Sequence, residues 1–381
     1  MRVLHFFKRF GPDKHGGVEM FIRHLSKSTG SLGISNTVLA LDRNPVPDYL
    51  DGGMRVIQAK EDFNLASTGF SRQSIGLLRD LSAEADVVQY HFPWPFMDVA
   101  HFMARVNKPS LVTYHSDIVR QKVLLQVYKP LMKTFLGNVD AIVATSPNYL
   151  RTSPVLQQFK DKTTVIPIGL DESLYPQPDS KAVAGWRQRF GGRFFLFVGV
   201  LRYYKGLHIL LEALRGSDMP VVIVGAGPVE SSLLRQSAQG QLRNIHFLGA
   251  VPEQDKVDLL EACYGVVFPS HLRSEAFGIS LLEGAMFGKP LVSSEIGTGT
   301  SFVNVHGRTG LVVPPSSPAR LREAMEALWR DQALASSLGL AARARYEELF
   351  TAERMGKSYA DLYRRLVSVG HAVPSLFGLK R

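Results

Sequence analysis

The chain has 381 residues, of which 45% are apolar and 20% are charged; this composition is typical of a globular enzyme and excludes a disordered chain. At ~100–200 residues per domain, the length predicts two domains. The single cysteine, Cys263, excludes a disulfide framework and a cysteine-based zinc site. Every apolar run is far shorter than the ~20 residues of a bilayer span, and the first residues lack the apolar stretch of a signal peptide, so we expect a cytoplasmic protein.

Basic residues outnumber acidic ones by 44 to 34, which gives a formal net charge of +10. Residues 120–162 contribute much of the excess, since they hold seven basic and two acidic side chains. Positive charge attracts phosphate groups, which could belong to nucleic acid, to anionic lipid or to a phosphorylated substrate. The basic residues of this stretch are spread singly, unlike those of a nucleic-acid-binding arm, and a solvated basic surface is the plainer alternative.

Short runs rich in Val, Ile and Phe recur along the chain without alternation, which is typical of strands buried on both faces of a parallel sheet. They span residues 3–7, 37–41, 55–58, 87–90, 110–114, 141–145, 164–168, 194–198, 221–224, 245–248, 265–268, 291–293 and 311–313. Helical periodicity separates them, as at residues 18–28, 207–214, 231–238 and 321–330, and a long helical stretch follows residue 341. The alternation predicts right-handed βαβ units and an α/β fold.

Thirteen strands are too many for one ordinary sheet, so we expect two doubly wound, Rossmann-like domains facing a cleft. Residues 169–185 contain prolines and no strand pattern, and we place the domain join there. The predicted division is residues 1–169, residues 170–350 and a final helical segment, residues 351–381. Ligands of doubly wound sheets bind at the carboxyl ends of the strands, so chemistry is expected in the loops that follow them.

Three such loops carry residues suited to a ligand. Gly16 and Gly17 precede the first helix, where glycine lets the backbone approach a ligand and helix N–H groups face an anion. His115 follows a strand end, where it is either an acid–base group aimed into the cleft or a structural histidine. Arg202 and Lys205 follow the first strand of the second half and suit phosphate oxygens. The plainer interpretations are a tight turn for the glycines and surface cations for the basic pair.

The most specific passage is residues 269–284, PSHLRSEAFGISLLEG. Phe277 and Gly278 are predicted to open a helix whose free N–H groups suit a pyrophosphate. If the segment were helical from Glu275 to Glu283, the two carboxylates would be separated by ~12 Å along the axis and by ~80° around it. They would be too far apart for one acid–base dyad, and could hold two ends of an extended ligand such as a sugar nucleotide.

These residues, in this order, resemble the retaining family-4 glycosyltransferases of the GT-B fold, and the resemblance covers essentially the whole chain. It is carried by Glu275 and Glu283 with seven residues between them, by Pro269 and Ser270, by the Arg202 and Lys205 loop, and by residues 16–19 (GGVE). Residues 90–95 (YHFPWP), 113–117 (TYHSD) and 297–302 (GTGTSF) further resemble bacterial polysaccharide mannosyl- and rhamnosyltransferases with GDP-linked donors.

The resemblance implies a GT-B fold and transfer of D-rhamnose or D-mannose from a GDP-sugar to a lipid-linked glycan in O-polysaccharide synthesis. A UDP-sugar donor with another acceptor is the alternative. It also implies that the final helix crosses back onto the first domain.

The resemblance implies a role for each matched position. Arg202 and Lys205 would bind the donor phosphates and stabilise the leaving nucleoside diphosphate. Glu283 would accept from the ribose hydroxyls, Glu275 would contact the transferred hexose, and His115 would line the reaction centre. The remaining donor-site positions are Gly16, Gly17, Ala276, Phe277, Gly278 and Ile279. Two residues, His91 and Trp94, would either contact the acceptor or belong to a packed loop.

The Asp-x-Asp motif that holds a divalent ion in other glycosyltransferases is absent from the sequence. Fixed charge from Arg202, Lys205 and helix N–H groups could take the place of the ion, so we expect no metal and no cofactor beyond the donor. A dinucleotide-dependent enzyme would need Gly-x-Gly-x-x-Gly after the first strand, and a nucleic-acid-binding function would rest on charge alone. Both are therefore distant alternatives.

A polyprenyl-diphosphate-linked acceptor would place the protein peripherally at the inner face of the cytoplasmic membrane. Residues 120–162 would then face anionic lipid, with each Lys or Arg contributing roughly 1 kcal/mol. Apolar residues at helical spacing would either add a shallow apolar face or pack into the core: Val123, Leu124, Leu125, Tyr128, Leu131, Met132 and Phe135.

Overall fold

The structure, a computed structural model, describes residues 1–12, 16–65, 68–118 and 122–371. Its contacts divide the chain into two compact units. The first unit comprises Met1–Thr145, Ser153–Gly169 and the chain from Ala352 onward, and the second comprises Ser146–Thr152 and Leu170–Thr351. Each unit is built around its own sheet of mainly parallel strands.

The described strands are β1 (Arg2–Phe6), β2 (Ser35–Asp42), β3 (Tyr49–Asp51), β4 (Met54–Lys60), β5 (Phe63–Leu65), β6 (Thr68–Phe70), β7 (Val87–Phe92), β8 (Ser110–Tyr114), β9 (Ala141–Ala144), β10 (Thr163–Val165), β11 (Phe195–Val198), β12 (Val221–Val224), β13 (Ile245–Gly249), β14 (Gly265–Phe268), β15 (Leu291–Ser294) and β16 (Gly310–Val313). The described helices are α1 (Gly17–Gly30), α2 (Arg72–Glu84), α3 (Pro95–Ala104), α4 (Lys122–Asn138), α5 (Pro147–Thr152), α6 (Ser180–Arg189), α7 (Leu207–Ala213), α8 (Glu230–Gln239), α9 (Glu253–Ala262), α10 (Ile279–Met286), α11 (Thr300–Val303), α12 (Pro318–Arg330), α13 (Gln332–Leu349) and α14 (Ala352–His371). Each of the thirteen runs predicted as a strand overlaps one of these strands, which confirms the α/β prediction.

The first unit contains an eight-stranded sheet in the order β10-β9-β8-β7-β1-β2-β4-β3. All pairs are parallel except β3 with β4. Every residue of β7 and β8 is buried, as expected for central strands covered on both faces. The strand order reverses between β1 and β7, which makes that junction the topological switch point of the sheet.

Three short strands were not predicted. The first of them, β3, pairs antiparallel with β4 across a two-residue turn at Gly52 and Gly53, whose φ values are 58° and 86°. Two consecutive glycines with positive φ are typical of a tight hairpin, so the sequence did contain a signal for this pair. The other two, β5 and β6, form a separate two-stranded ribbon. Each of the three strands has only three residues, too few to show a pattern.

The second unit contains a six-stranded, all-parallel sheet in the order β13-β12-β11-β14-β15-β16. Counted along the chain this is the order 3-2-1-4-5-6 of a Rossmann fold. The order reverses between β11 and β14, and the loops that follow these two strands carry most of the predicted site.

The helical stretch predicted after residue 341 is not continuous. One helix, α13, ends at Leu349, and α14 begins at Ala352. The backbone between the two helices is hydrogen-bonded to Leu170. The Leu170 N–H donates to the carbonyl of Phe350 across 2.9 Å, and Leu170 forms a parallel bridge with Thr351. Tertiary hydrogen bonding therefore overrides helical propensity at this point.

Helix α14 packs against α1 in the first unit. Gly356 allows a close approach, because a Cβ there would lie 2.1 Å from Ser28 Oγ. Polar bonds tie the same helix to the sheet: Tyr359 shares a hydrogen bond with Thr113, and Tyr363 donates to Gln89. The last helix is thus part of the first unit's core.

The predicted apolar stripe on α4 is partly buried. Met132 is 2% exposed and Phe135 is fully buried, and the Phe135 ring packs edge-on against Tyr90. Tyr128 is held by a hydrogen bond to the buried Asp98. Of the two alternatives, a shallow apolar face or packing into the core, the structure supports packing for Met132 and Phe135, because these side chains fill the core beneath the helix.

The opposite side of α4 is exposed. Val127 is 80% exposed, and Lys129 and Lys133 are also exposed. None of the helices in the described ranges is long and apolar enough to cross a membrane. Other residues named in the prediction have side chains outside the described part of the chain: Lys122, Val123 and Leu124.

Candidate functional site

Two predicted residues meet at the switch point of the second unit. Lys205 comes from the loop after β11, and Glu275 comes from the loop after β14. Lys205 Nζ lies 2.5 Å from Glu275 Oε2. The carboxyl ends of strands at a switch point are where doubly wound sheets bind ligands, so this pair lies where the fold predicts a site.

A glycine makes this approach possible. Gly206 has a φ of 71°, and a Cβ there would lie 2.0 Å from the carbonyl oxygen of Pro269. The side chains of Lys205 and Glu275 are only 12% and 11% exposed, and Ser270 Oγ lies 3.4 Å from the same carboxylate oxygen. Because both charges are largely removed from water, each depends on the other for neutralisation.

Arg202 is separate from this pair. It precedes the 3-10 helix Tyr203–Lys205 and is exposed, and no carboxylate in the described residues pairs with it. Its guanidinium therefore keeps its N–H donors for a ligand. The sequence predicted a compact cationic pair, but the structure has one paired cation and one open cation.

Glu275 and Glu283 do not share a helix. The Glu275 N–H donates to the carbonyl of Leu272 across 3.0 Å in a turn, and α10 begins only at Ile279. Gly278, with a φ of 92°, separates the two segments. The condition of a continuous helix from Glu275 to Glu283 is therefore not met, because the left-handed backbone at Gly278 changes the chain direction.

The loop after β15 supports the start of α10. The Gly299 N–H donates to the carbonyl of Ala276 across 2.8 Å, and a Cβ on Gly299 would lie 2.6 Å from the ring of Phe277, which is buried. On its other side the loop is held by Arg273, whose Nη1 donates to the carbonyl of Gly297 across 2.9 Å. The first N–H groups of α10 lack intrahelical acceptors and are thus presented from a well-supported turn, as anion binding requires.

Glu283 is 5% exposed and lies in a second charged cluster. Its Oε1 accepts from Tyr175 across 3.2 Å and from Lys256 Nζ across 2.8 Å, while Lys256 also pairs with Glu253 at 2.6 Å. Burial opposes the charge of Lys256, but the Glu283 and Glu253 carboxylates together raise its pKa above the usual value. Burial, reinforced by Glu283, raises the pKa of Tyr175 well above its ordinary range, so its hydroxyl remains a donor.

This cluster leaves one atom open. Glu283 Oε2 has no hydrogen-bond partner among the described residues, whereas Oε1 has two. The carboxylate is therefore fixed by one oxygen and presents the other. Sequence reasoning missed Lys256 and Tyr175, because neither belongs to a motif and they are brought to Glu283 only by tertiary folding.

His115 lies in the first unit, directly after β8. Its backbone N–H donates to the carbonyl of Phe92 across 3.0 Å, which extends the parallel ladder by one residue. Its ring Nε2 lies 3.1 Å from Nδ1 of His91, whose Nε2 lies 3.2 Å from Nδ1 of His5. Adjacent rings are nearly parallel, with centroids 5.4 Å apart in both pairs. We name these three residues the histidine row.

All members of the row are uncharged at neutral pH. Burial lowers the pKa of His115 to about 3 and that of His5 to about 4. Burial, and to a lesser degree its two neighbours, lowers the pKa of His91 well below the usual value. No sequence motif marks His5, because its partners come from other strands.

The loop containing His91 and Trp94 is packed. Trp94 is 1% exposed and its indole N–H donates to the carbonyl of Gly69 across 3.0 Å. His91 is fully buried in the histidine row. Of the two alternatives, acceptor contact or packed loop, the structure supports the packed loop.

Gly16 and Gly17 stand at the start of α1, with Gly16 as its N-terminal cap. A Cβ on Gly16 would lie 2.4 Å from a carboxylate oxygen of Glu19, so that side chain folds back over the first turn. Glu19 also lies 3.6 Å from Arg9. The predicted loop continues through residues 13–15, which lie outside the described residues.

Within the described ranges, no three His, Cys, Asp or Glu side chains converge as a metal-binding group. The candidate site of the second unit is therefore built from cations, carboxylates and backbone N–H groups. Such a set can bind a diphosphate and hydroxyl groups together.

Comparison with known proteins gives matches along nearly the whole chain. Residues 15–174 match the family described as Glycosyltransferase Family 4, and residues 184–345 match Glycosyl transferases group 1. D-rhamnosyltransferase WbpZ of Pseudomonas aeruginosa is 60% identical over 92% of this chain and 93% of its own length. O-antigen chain mannosyltransferase C of Escherichia coli is 48% identical over 96% and 99%, respectively.

Solved structures show the same fold at low sequence identity. Sucrose-phosphate synthase from Thermosynechococcus elongatus aligns with a TM-score of 0.81 and 21% identity, covering 97% of this chain and 99% of that one. Anabaena HepE in complex with UDP-glucose aligns with a TM-score of 0.76 and 20% identity, covering 96% and 100%. These similarities establish the GT-B architecture of two Rossmann-like domains.

Proposed function

The chain belongs to glycosyltransferase family 4, and on that premise we propose that it transfers D-rhamnose or D-mannose from a GDP-sugar to a lipid-linked glycan in O-antigen synthesis. The observation that carries the proposal is its similarity, over more than nine-tenths of the chain, to a D-rhamnosyltransferase and an O-antigen mannosyltransferase. D-rhamnose is D-mannose without the hydroxyl at C6, so the two named sugars share one ring configuration.

The diphosphate of the donor is assigned to Arg202, Lys205 and the first N–H groups of α10. A leaving nucleoside diphosphate gains negative charge in the transition state, and donors fixed before the reaction stabilise it best. Arg202 brings a guanidinium that pairs with none of the described carboxylates, whereas Lys205 shares its charge with Glu275. Together these three side chains carry a net charge of +1, and we propose that transfer proceeds without a metal ion.

The sugar and the ribose are assigned to the two carboxylates. Glu275 is held by Lys205 and can accept from hydroxyls of the transferred hexose. Glu283 is held through Oε1 and can accept from ribose hydroxyls through Oε2. The family resemblance supports retention of the anomeric configuration, by front-face attack of the acceptor hydroxyl assisted by the leaving phosphate.

A panel of nucleotide sugars tests the donor assignment. We expect GDP-D-rhamnose and GDP-D-mannose to raise the thermal stability of the protein and to yield GDP with a lipid-linked acceptor analogue, while EDTA leaves the rate unchanged. Glu283→Gln keeps the shape of the side chain but removes its charge, and should weaken GDP-sugar stabilisation. Stabilisation by UDP-sugars alone would overturn the GDP assignment, and loss of the rate in EDTA would overturn metal independence.

We further propose that the exposed side of α4 rests on an anionic membrane surface, where a polyprenyl-diphosphate acceptor would be found. Lys129, Lys133 and Val127 are all exposed on this helix. Each lysine near an anionic leaflet contributes roughly 1 kcal/mol, so the association should be weak and reversible by salt.

Co-sedimentation with vesicles tests the membrane proposal. Wild-type protein should sediment with anionic vesicles at low salt but not at high salt, and should ignore neutral ones. Reversing Lys129 and Lys133 to Glu should abolish binding and spare transfer to a soluble acceptor analogue. Reversing the exposed Lys181 and Lys357 makes the same change in net charge elsewhere and should have little effect. Equal loss in both double variants would mean that only overall charge matters.

A further inference from the structure

The histidine row runs across neighbouring strands of the first unit's sheet, with His5 at its inner end and His115 at its outer end. His5 lies on β1 and His91 on β7, the two strands that flank the switch point, and His115 follows β8. Parallel register places His5 beside Gln89 and His91 beside Thr113, so the three rings stand on one face of the sheet. These residues are distant in sequence and meet only through strand pairing.

The inner end of the row is fixed by Asn36. Its amide nitrogen lies 3.1 Å from the carbonyl oxygen of Ser26 and 3.2 Å from that of Ile34, and also 3.0 Å from Thr29 Oγ1. Carbonyl oxygens can only accept, so the amide nitrogen must face them. Its oxygen, Oδ1, therefore faces His5 Nε2 at 3.1 Å and must accept from it.

The hydrogen bond that His5 donates to Asn36 determines which ring nitrogen carries the proton in every histidine of the row. Neutral His5 carries its proton on Nε2, so its Nδ1 has a lone pair and accepts from His91 Nε2–H. His91 then has a bare Nδ1, which accepts from His115 Nε2–H. A neutral imidazole carries one N–H, so His115 is left with a lone pair on Nδ1.

The surroundings keep the rings neutral. Phe21 of α1 packs edge-on against His115 and His91 with centroids 5.0 and 5.8 Å away, and Phe7 packs edge-on against His91 at 5.8 Å. A charged imidazolium among aromatic rings would lose its hydration, and no carboxylate of the described residues bonds to the three rings to compensate. No described residue bonds to His115 Nδ1, and His115 is 9% exposed, so that atom is the open end of the row.

We propose that His5, His91 and Asn36 are positioning residues that hold His115 in the Nε2–H tautomer, so that His115 acts on a sugar substrate only as a hydrogen-bond acceptor through Nδ1. A deprotonated phosphate oxygen cannot donate to such an atom, whereas a sugar hydroxyl can. The partner of His115 in the reaction is therefore a hydroxyl and not the leaving diphosphate. This inference rests on the proposed glycosyl transfer for its substrate class.

The direct test is imidazole nitrogen NMR on protein labelled with ¹⁵N-histidine, with His115 assigned by its loss in His115→Gln. All three histidines of the row should show a protonated Nε2 and a bare Nδ1 in the wild type. His5→Phe keeps a flat ring but removes the acceptor for His91 Nε2–H, so His91 and His115 should become mixtures of tautomers. His5→Gln restores a donor and an acceptor and should keep the single tautomer.

The kcat values of the same variants should follow the tautomer results. His5→Phe should lower kcat by about 10- to 100-fold, by analogy with the loss of the outer hydrogen-bond partner of a metal-binding histidine, with a smaller change in KM. His5→Gln should recover most of that loss. His101→Gln is the matched control, because His101 is a mostly buried histidine outside the row, bonded to Tyr90 and Asn138. It should alter stability and leave the tautomer of His115 unchanged.

Two results would overturn the proposal: a wild-type His115 with its proton on Nδ1, or a His5→Phe variant whose His115 tautomer and kcat both match the wild type. Neither NMR result depends on a nucleotide sugar. If the donor panel excludes GDP-sugars while the tautomer result holds, the donor assignment fails and the row retains its role.

Discussion

The Lys205–Glu275 pair allows the structural and functional roles of one contact to be separated. Lys205→Met keeps the length of the side chain but leaves the Glu275 carboxylate about nine-tenths buried, with one long bond from Ser270. Breaking a buried pair costs ~3–5 kcal/mol, and the residual exposure of both groups puts our expectation near 3 kcal/mol. The double variant Lys205→Met/Glu275→Gln buries no charge. Its loss of unfolding free energy should therefore be smaller than the sum of the two single-variant losses by on the order of 2 kcal/mol.

The assay is guanidinium unfolding followed by tryptophan fluorescence. The chain has three tryptophans, and in a Trp94→Phe background the other two, Trp186 and Trp329, both report on the second unit. A coupling energy below about 0.5 kcal/mol, the scatter expected of independent sites, would show that the two side chains do not stabilise each other. If the pair also binds the donor, the double variant should regain stability without regaining turnover.

Three further predictions concern single residues. Arg202→Ala should lower kcat on the order of 10²–10³-fold and change stability by less than about 0.5 kcal/mol, because this cation is exposed; steady-state kinetics with unchanged kcat would remove it from the site. Burial lowers the pKa of His5 to about 4, so between pH 6.5 and about 4 the unfolded chain binds a proton that folded His5 does not, and the stability falls as the pH falls. His5→Phe should reduce the slope of stability against pH in this range by about 1.4 kcal/mol per pH unit, measured by unfolding at a series of acid pH values. Gly206→Ala should destabilise the protein by at least about 3 kcal/mol through its clash with Pro269, whereas Gly216→Ala, with a φ of 68° and open space around it, should cost only about 1–2 kcal/mol in the same denaturation assay.

The buried strands were predictable because a parallel sheet covered on both faces needs continuous apolar runs. The edge strand β3 is too short for a pattern, and its signal was the Gly52–Gly53 turn alone. Other elements were misjudged because tertiary contacts decide them: the helical stretch after residue 341 breaks where Phe350 and Thr351 pair with Leu170. On α4, periodicity identified an apolar stripe but could not tell a core from a membrane as its partner, and Met132 and Phe135 proved to face the core.

The burial of Lys205 is the clearest correction within the site. From sequence alone, the plainer interpretation of Arg202 and Lys205 was a pair of surface cations, and it holds for the exposure of Arg202 only. The structure instead buries Lys205 against Glu275, seventy residues away, because Gly206 lets one loop lie directly on the other. Motif spacing identified both residues, but their pairing depends on strand order, which spacing does not encode.

The two units prepare their ligand-facing groups by different physical means, and this difference explains which groups the sequence could reveal. In the second unit, Glu275 and Glu283 are each fixed by a neighbouring ammonium, and charged residues near glycine turns are visible in a sequence. In the first unit, the orientation of the His115 proton is set by Asn36, three strands away across the sheet, through neutral hydrogen bonds. Each hydrogen bond in that row fixes the direction of the next. Replacing one inner residue therefore changes which ring nitrogen of His115 carries the proton, although the replaced residue need not contact His115. Charge can be inferred from composition, but hydrogen-bond direction can be inferred only once the register of the strands is known.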